Sequence, residues 1–376
     1  MYDNNEMVQN TVNNKASGTI LHVTESLGGG VLESILNLCT NQYLAGWEIE
    51  IHFVIRDDTP PIDNLKKLFP ENMRFYTYGS SNLPNLLSMF LNLRKYIKQK
   101  NIAFIHLHST KAGFFGKLIL NKHKFRIFYS PHSFAFLRLD KRAITRRCFK
   151  ILEKISDLYG NVTTLGVSVH ECKLATDLKL KDVKLLFNFI SDPIQNFDIK
   201  HKEFHERNID VCNIARLVPQ KNPKRFIETF KKLESKSEWA WVGADSKSRI
   251  IFPKEIELIN WMSHEETVQI LNSSRIFLST SDWEGLSISL IEAQMMGVPA
   301  VVWDIPSNHE IVIHGKTGFI CSSEDELSKK IQEILLQAEL WKFLSFNARN
   351  NALKKFERVA NQNYWKQVYF NEQNFE

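Results

Sequence analysis

Residues 276–304 read IFLSTSDWEGLSISLIEAQMMGVPAVVWD, and this stretch decides the fold. The apolar run 276–280 predicts a buried strand. A polar loop follows, then a nearly all-apolar segment, 286–296, that predicts a helix, and 298–303 predicts another strand. Strand, loop, helix, strand with little exposed apolar alternation is the signature of a parallel sheet covered on both faces. Working outward, Ser263-His264-Glu265-Glu266 is a capping box opening a further helix. DVCNIA from residue 210 and WAWVG (239–243) read as strands, and 224–233 as a helix after the loop ARLVPQKNP (215–223). A second series starts at residue 19. There TILHVTE (19–25) is a strand, Gly28 to Gly30 a tight loop and 31–44 an amphipathic helix, with more strands at 48–55 and 103–108. The fold class is therefore α/β: two facing Rossmann-like, doubly wound domains joined near 186–205, with a cleft between them. Ligands of such sheets bind beyond the carboxyl ends of strands, which directs attention to loops 26–30, 130–137, 216–222 and 281–287.

Composition sets the outer bounds. The chain has 376 residues, 43% hydrophobic and 24% charged, with a formal charge of +6, which excludes disordered, collagenous and channel-forming classes. The five cysteines (Cys39, Cys148, Cys172, Cys212, Cys321) form no CxxC pair and read as small buried hydrophobes in a reducing compartment. No run of about 18 apolar residues occurs, and residues 1–17 are polar, so a cytoplasmic protein with a loose N-terminal tail is expected. Residues 111–154 hold twelve Lys or Arg against Asp140 and Glu153, a local charge of +10 interleaved with Phe114, Phe115, Leu118, Ile119, Phe134, Phe136 and Leu137. That composition suits an anionic membrane surface, with a plain solvated basic face as the alternative. Nucleic acid ranks last, because no recognisable binding motif accompanies the charge.

Four constellations carry chemistry. Glu284 and Glu292 lie eight residues apart, the first in a loop and the second inside an apolar helix, where an ionised carboxylate is costly unless it meets donors. A ribose offers two hydroxyls to one carboxylate, and the backbone N–H groups of Gly285, Leu286 and Ser287 offer an anion or sugar site at the helix start. The alternative is a helix cap with a satisfied buried Glu. Arg216 and Lys221 supply two cations in a strand-to-helix loop, as a diphosphate requires. Gly28, Gly29 and Gly30 let backbone approach a ligand, although Glu33 occupies the position where a GxGxxG fingerprint needs glycine. His132, beside Pro131 at the end of a strand, is placed to donate to a sugar hydroxyl or move a proton, whereas His106 and His108 read chiefly as structural. No Asp-x-Asp pair occurs, so no metal site is expected and leaving-group charge falls to Arg216, Lys221 and helix N-termini.

These residues resemble glycosyltransferase family 4, retaining enzymes of the GT-B fold. The matched stretches are SLGGGV (26–31), SPHSF (130–134), ARLVPQKNP (215–223), residues 259–304 and HEIVIHGKTGFI (309–320). The resemblance implies that Glu292 holds the donor ribose, Glu284 lies by the donor sugar and Arg216 with Lys221 binds the diphosphate. It further implies that Gly29 and Gly30 face the donor phosphate and that His132 sits near the transferred sugar. Departures are Phe189 after Asn188, where Asn-Gly is usual, and Asn260 where a glycine is common.

Within the family, EGLSISLIEA and SPHSFAFLR look most like bacterial O-antigen, capsule or exopolysaccharide transferases. These imply a uridine-linked nucleotide-sugar donor, no cofactor or metal, and an undecaprenyl-diphosphate-linked saccharide acceptor at the inner face of the cell membrane. The expected organisation is a tail at 1–17, an acceptor-side domain at 18–187, a nucleotide-sugar domain at 188–355 and a helix at 356–376 crossing back. The rival readings are a sugar-nucleotide epimerase or hydrolase on the same fold, and a silent sugar-nucleotide-binding partner.

Overall fold

The computed structural model describes residues 18–25, 27–120, 125–158, 161–233, 237–244, 250–358 and 361–370. The expected tail, 1–17, lies outside them, as do Ser26, Lys122 and Lys124. The first sheet contains β1 (Thr19–Thr24), β2 (Glu48–Ile55), β3 (Arg74–Ser80), β4 (Ile102–His108), β5 (Arg126–Ser130), β6 (Val162–Gly166) and β7 (Asp182–Leu185). Its order is β3-β2-β1-β4-β5-β6-β7. The second contains β8 (Ile209–Ile214), β9 (Trp239–Ala244), β10 (Ile256–Asn260), β11 (Ser274–Ser279), β12 (Ala300–Trp303) and β13 (Gly318–Cys321), in the order β10-β9-β8-β11-β12-β13. All pairings between these strands are parallel. The strand order reverses beside β1 in one sheet and beside β8 in the other, the place where such sheets open a ligand crevice.

Helices of the first domain are α1 (Gly29–Leu44), α2 (Ile62–Leu68), α3 (Leu83–Tyr96), α4 (Thr110–Leu120), α5 (Ala143–Leu158) and α6 (Val169–Asp177). Those that follow are α7 (Pro193–Asn196), α8 (Pro223–Lys231), α9 (His264–Ser273), α10 (Ile288–Met295), α11 (Glu324–Leu336), α12 (Ala338–Phe356) and α13 (Tyr364–Phe370). Each sheet is sandwiched by two apolar clusters. Ile20, Ile51 and Phe128 pack on one face of the first sheet, and Leu21, Ile105 and Tyr129 on the other. This is why the central strands are buried on both faces, whereas the edge strands β3 and β10 are partly exposed.

Helix α12 packs on α10 and ends at Phe356, so the return to the first domain is not one continuous helix. A backbone bridge joins Ile190 to Glu357, and the separate α13 then buries Trp365, Val368 and Tyr369 beside β1, β2 and β4. Burying Trp365 and Tyr369 contributes about 2–3 kcal/mol each. Across the domain boundary, Glu310 accepts from the Val169 and His170 N–H groups, both at 2.8 Å, neutralising the positive end of α6. Two sequence expectations need correction here. Helix α1 begins at Gly29, with Gly28 as its cap, so the glycines are its first turn rather than a loop before it. The cysteines are not uniformly buried: Cys148 is exposed on α5, a helix whose apolar face points outward.

Candidate active site

Arg216, the first charged residue after β8, donates to Asp58, which lies between β2 and α2 of the first domain; Arg56 is 3.4 Å from the same carboxylate. Gly28 fits against this contact, since a Cβ there would lie 2.3 Å from the Asp58 carbonyl oxygen. A Cβ on Gly29 would come within 3.8 Å of the Arg216 guanidinium, whereas one on Gly30 meets nothing within 4 Å. The glycine-opened end of α1 and the Arg216 side chain therefore share one space.

Lys221 pairs with Glu284, whose second oxygen accepts from Gln220 Nε2 at 3.0 Å; the same Gln220 nitrogen donates to the Trp283 carbonyl at 2.9 Å. Neighbouring Asp282 accepts from Arg225 at 2.6 Å and from Asn222 at 3.1 Å. Asn222 caps α8 from a left-handed conformation, φ 46°, which asparagine tolerates and most residues do not. Arg225 is fixed in turn by Trp303, its guanidinium 3.5 Å from the ring centre. The DWEGLS loop is thus clamped from the other side of the sheet's reversal point.

The sequence places the following helix from 286, but α10 starts at Ile288, with Ser287 as a cap that makes no side-chain capping bond. Gly285 and Leu286 belong to the loop. Gly285 has to be glycine for a cross-domain reason: a Cβ would lie 2.8 Å from the Ser133 nitrogen and 3.2 Å from the His132 carbonyl carbon. Asn188 ties the same region together, donating to the Leu286 carbonyl at 3.3 Å and accepting from Ser34 at 2.7 Å.

Glu292, buried within α10, receives its donor from the first residue of α9: His264 Nε2 is 2.6 Å away. Burial opposes a charge on His264, but the charge and hydrogen bond of Glu292 outweigh it and raise the imidazole to about 9. Glu33 of α1 faces the same pair, and burial pushes its carboxyl up to about 7. His264 and Glu33 were not singled out from the sequence, although His264 is the second residue of the capping box.

On the opposite edge His132 follows β5 with φ 50°, and Ser133 follows it with φ 82°. This left-handed pair is held by Glu171, whose carboxylate accepts from Ser133 N at 2.7 Å and Val167 N at 2.8 Å. Burial raises the Glu171 carboxyl to about 7. Behind His132 runs a chain of rings: His132 Nε2 is 2.9 Å from His108 Nδ1, His108 Nε2 is 2.9 Å from His22 Nδ1, and His22 Nε2 is 2.8 Å from Gln42 Oε1. Burial lowers His22 and His132 to about 4, and His106 and His108 well below the usual range. His22, His106 and His108 are also the one group of metal-ligating type among the described residues. Their ring nitrogens are, however, taken by Gln42, His132, Ser130 and Tyr369.

The architecture and this edge-to-edge arrangement define a class: two parallel-sheet Rossmann-like domains in the GT-B form, the fold of the structurally similar glycosyltransferases. The chain superposes on Anabaena HepE in complex with UDP-glucose with a TM-score of 0.75, at 15% identity, covering 94% of this chain and all of that one. More particularly, residues 194–351 match the family model Glycosyl transferases group 1. Among curated relatives, a Klebsiella pneumoniae uncharacterized 41.2 kDa protein in the cps region is 25% identical over 93% of this chain and 99% of its own. The Escherichia coli UDP-Gal:alpha-D-GlcNAc-diphosphoundecaprenol alpha-1,3-galactosyltransferase is 24% identical over 75% of this chain and 79% of its own.

Proposed function

We propose that this protein is a retaining, metal-independent glycosyltransferase that moves a hexose or N-acetylhexosamine from a uridine-linked nucleotide sugar to an undecaprenyl-diphosphate-linked saccharide, for surface polysaccharide synthesis. The observation that carries the reading is the convergence of Arg216, Lys221, Glu284 and Glu292 on one sheet edge, opposite the glycine end of α1 and the His132 loop. The donor diphosphate replaces Asp58 at Arg216 and meets Lys221 and the first-turn N–H groups of α1. Glu292 takes the ribose hydroxyls, and the half-exposed Trp261 ring beyond β10 offers a stacking face to the base. The sugar lies between Glu284 with the Gly285 to Ser287 backbone and His132.

As the bond from the anomeric carbon to the phosphate oxygen breaks, Arg216 and Lys221 neutralise the charge that gathers on the leaving diphosphate. The acceptor oxygen bonds to the anomeric carbon on the same face, and its proton passes to a donor phosphate oxygen. The uridine and lipid-diphosphate choices draw on the E. coli relative and on UDP-glucose in the HepE structure. The test is acceptor-dependent product formation from a panel of UDP-sugars in EDTA, with the new linkage read by NMR. An axial-to-axial product settles in its favour; donor consumption without acceptor, an inverted linkage, or loss of activity in EDTA contradicts it.

The acceptor's membrane suggests where the protein sits. No helix among the described residues is long and apolar enough to cross a bilayer. The apolar residues that the sequence reading assigned to the membrane, such as Phe134 and Phe136, are in fact buried, and so is Lys117. Helix α5 takes their place. Its inner side carries Glu153, Ser156 and Asp157, with Glu153 bonded to Tyr129 at 2.8 Å and to Lys117 at 3.4 Å, while Ile144, Ile151, Leu152, Ile155 and Leu158 face outward. Flanked by Arg142, Arg147, Lys150 and Lys154, this face suits shallow insertion into an anionic leaflet. Ile151→Asp with Ile155→Asp should abolish co-flotation with anionic vesicles; undiminished flotation contradicts the placement.

A further inference from the structure

Behind the cleft, the hydrogen bonds from Gln42 to His132 have a direction. Gln42 Oε1, on α1, can only accept, so His22 Nε2 carries the proton at that contact. A neutral His22 is then bare at Nδ1 and accepts from His108 Nε2–H; His108, bare at Nδ1, accepts in turn from His132 Nε2–H. Gln42, His22 and His108 are all buried. Burial keeps the rings neutral at pH 7. A parallel branch runs beside it. In it the Tyr369 hydroxyl lies 2.7 Å from His106 Nδ1, and Ser130 Oγ lies 2.9 Å from His106 Nε2. Tyr369 belongs to α13, so the returning C-terminal segment closes the far side of the same cluster.

We infer that Gln42, His22 and His108 are positioning residues that lock His132 into one tautomer, with Nε2–H spent inward and Nδ1 left as a hydrogen-bond acceptor toward the cleft. Of the two roles the sequence offers His132, donating to a sugar hydroxyl or moving a proton, this tautomer opposes the first: His132 accepts from a sugar hydroxyl. The inference rests on the transferase reading for its sugar, but the tautomer itself does not depend on activity. It also accounts for a glutamine being buried on the inward side of α1, where a leucine would otherwise pack.

Two measurements test it. In the full-length protein labelled with 15N-histidine, long-range nitrogen–proton spectra at pH 7.5 should show His22, His108 and His132 all as Nε2–H forms. A His132 protonated at Nδ1 or at both nitrogens overturns the proposal, whatever the enzyme does. In the second, Gln42→Met removes the acceptor and Gln42→Glu keeps one. The methionine variant should show a mixed His132 tautomer and a turnover about ten-fold lower with UDP affinity unchanged, and the glutamate variant should retain the Nε2–H form and most of the turnover. Equal behaviour of the two variants contradicts a positioning role. If no UDP-sugar supports transfer by the wild type, the function reading fails while the spectra still decide the tautomer.

Discussion

The two edges that face each other across the cleft are built on opposite electrical plans. The edge of the second sheet is ionic: Arg216 with Asp58, Lys221 with Glu284, Arg225 with Asp282, and a charged His264 against Glu292. The edge of the first is a neutral, buried line of imidazoles fixed by a glutamine amide and a backbone-bound Glu171. In the proposed transfer, full charges suit the edge that would hold a diphosphate and neutralise its developing charge. Neutral rings suit the edge that, in the same proposal, would orient an uncharged sugar without a competing ion. The division of labour lies in the two chemistries, and five expected outcomes can break or sharpen it.

The largest effect belongs to Glu284→Gln, which keeps the side chain's size and an acceptor for Gln220 but removes the charge that pairs with Lys221. Turnover with nucleotide sugar and acceptor should fall by about 10²–10³-fold. Next comes acid. Unfolded histidines protonate around 6.5, whereas His22 in the folded chain waits until about 4, so its contribution is complete above pH 6.5 and is lost as the pH falls toward 4. For His22 alone that is on the order of 3 kcal/mol. The ionic edge behaves in the reverse sense: His264, raised to about 9, contributes below pH 6.5 and loses its contribution as the pH rises through 9. Denaturant midpoints across pH 4–9.5 should therefore show a maximum near neutrality, with His264→Gln flattening only the alkaline limb.

Third, Arg216→Ala should weaken nucleotide diphosphate binding by about 2 kcal/mol, roughly 30-fold, in calorimetric titration. Fourth, Glu171→Gln leaves one of two buried N–H groups facing an amide N–H, costing about 1–2 kcal/mol in chemical denaturation and loosening the His132 loop. The smallest effect has the opposite sign. Asp58 occupies Arg216 before any donor arrives, so Asp58→Asn should tighten nucleotide diphosphate binding by about two- to five-fold, within the range of a partly exposed ion pair.

The ionic edge was legible because its parts are local. Strand, loop and helix follow one another within residues 276–304, and Arg216 with Lys221 and Glu284 with Glu292 each stand within one βα unit, β8–α8 and β11–α10, whose strands are sheet neighbours. The neutral edge was not, because Gln42, His22, His108 and His132 come from α1, β1, β4 and the loop after β5, and only sheet order aligns them. Asp58 at Arg216 has no sequence signal either, since it arrives from the other domain. The outward apolar face of helix α5 was not legible either: the reading of 111–154 weighed its charge and its aromatic residues, and the buried Glu153–Lys117 pair that turns the helix joins residues 36 apart.

The most direct test of the division is to separate binding from transfer. Titration of a UDP-sugar into wild type, Arg216→Ala, Glu292→Ala and His132→Asn should show binding lost or severely weakened in the two variants of the ionic edge and retained in His132→Asn, while transfer falls in all three. Undiminished binding in Arg216→Ala and Glu292→Ala, or binding abolished by His132→Asn, would contradict the account.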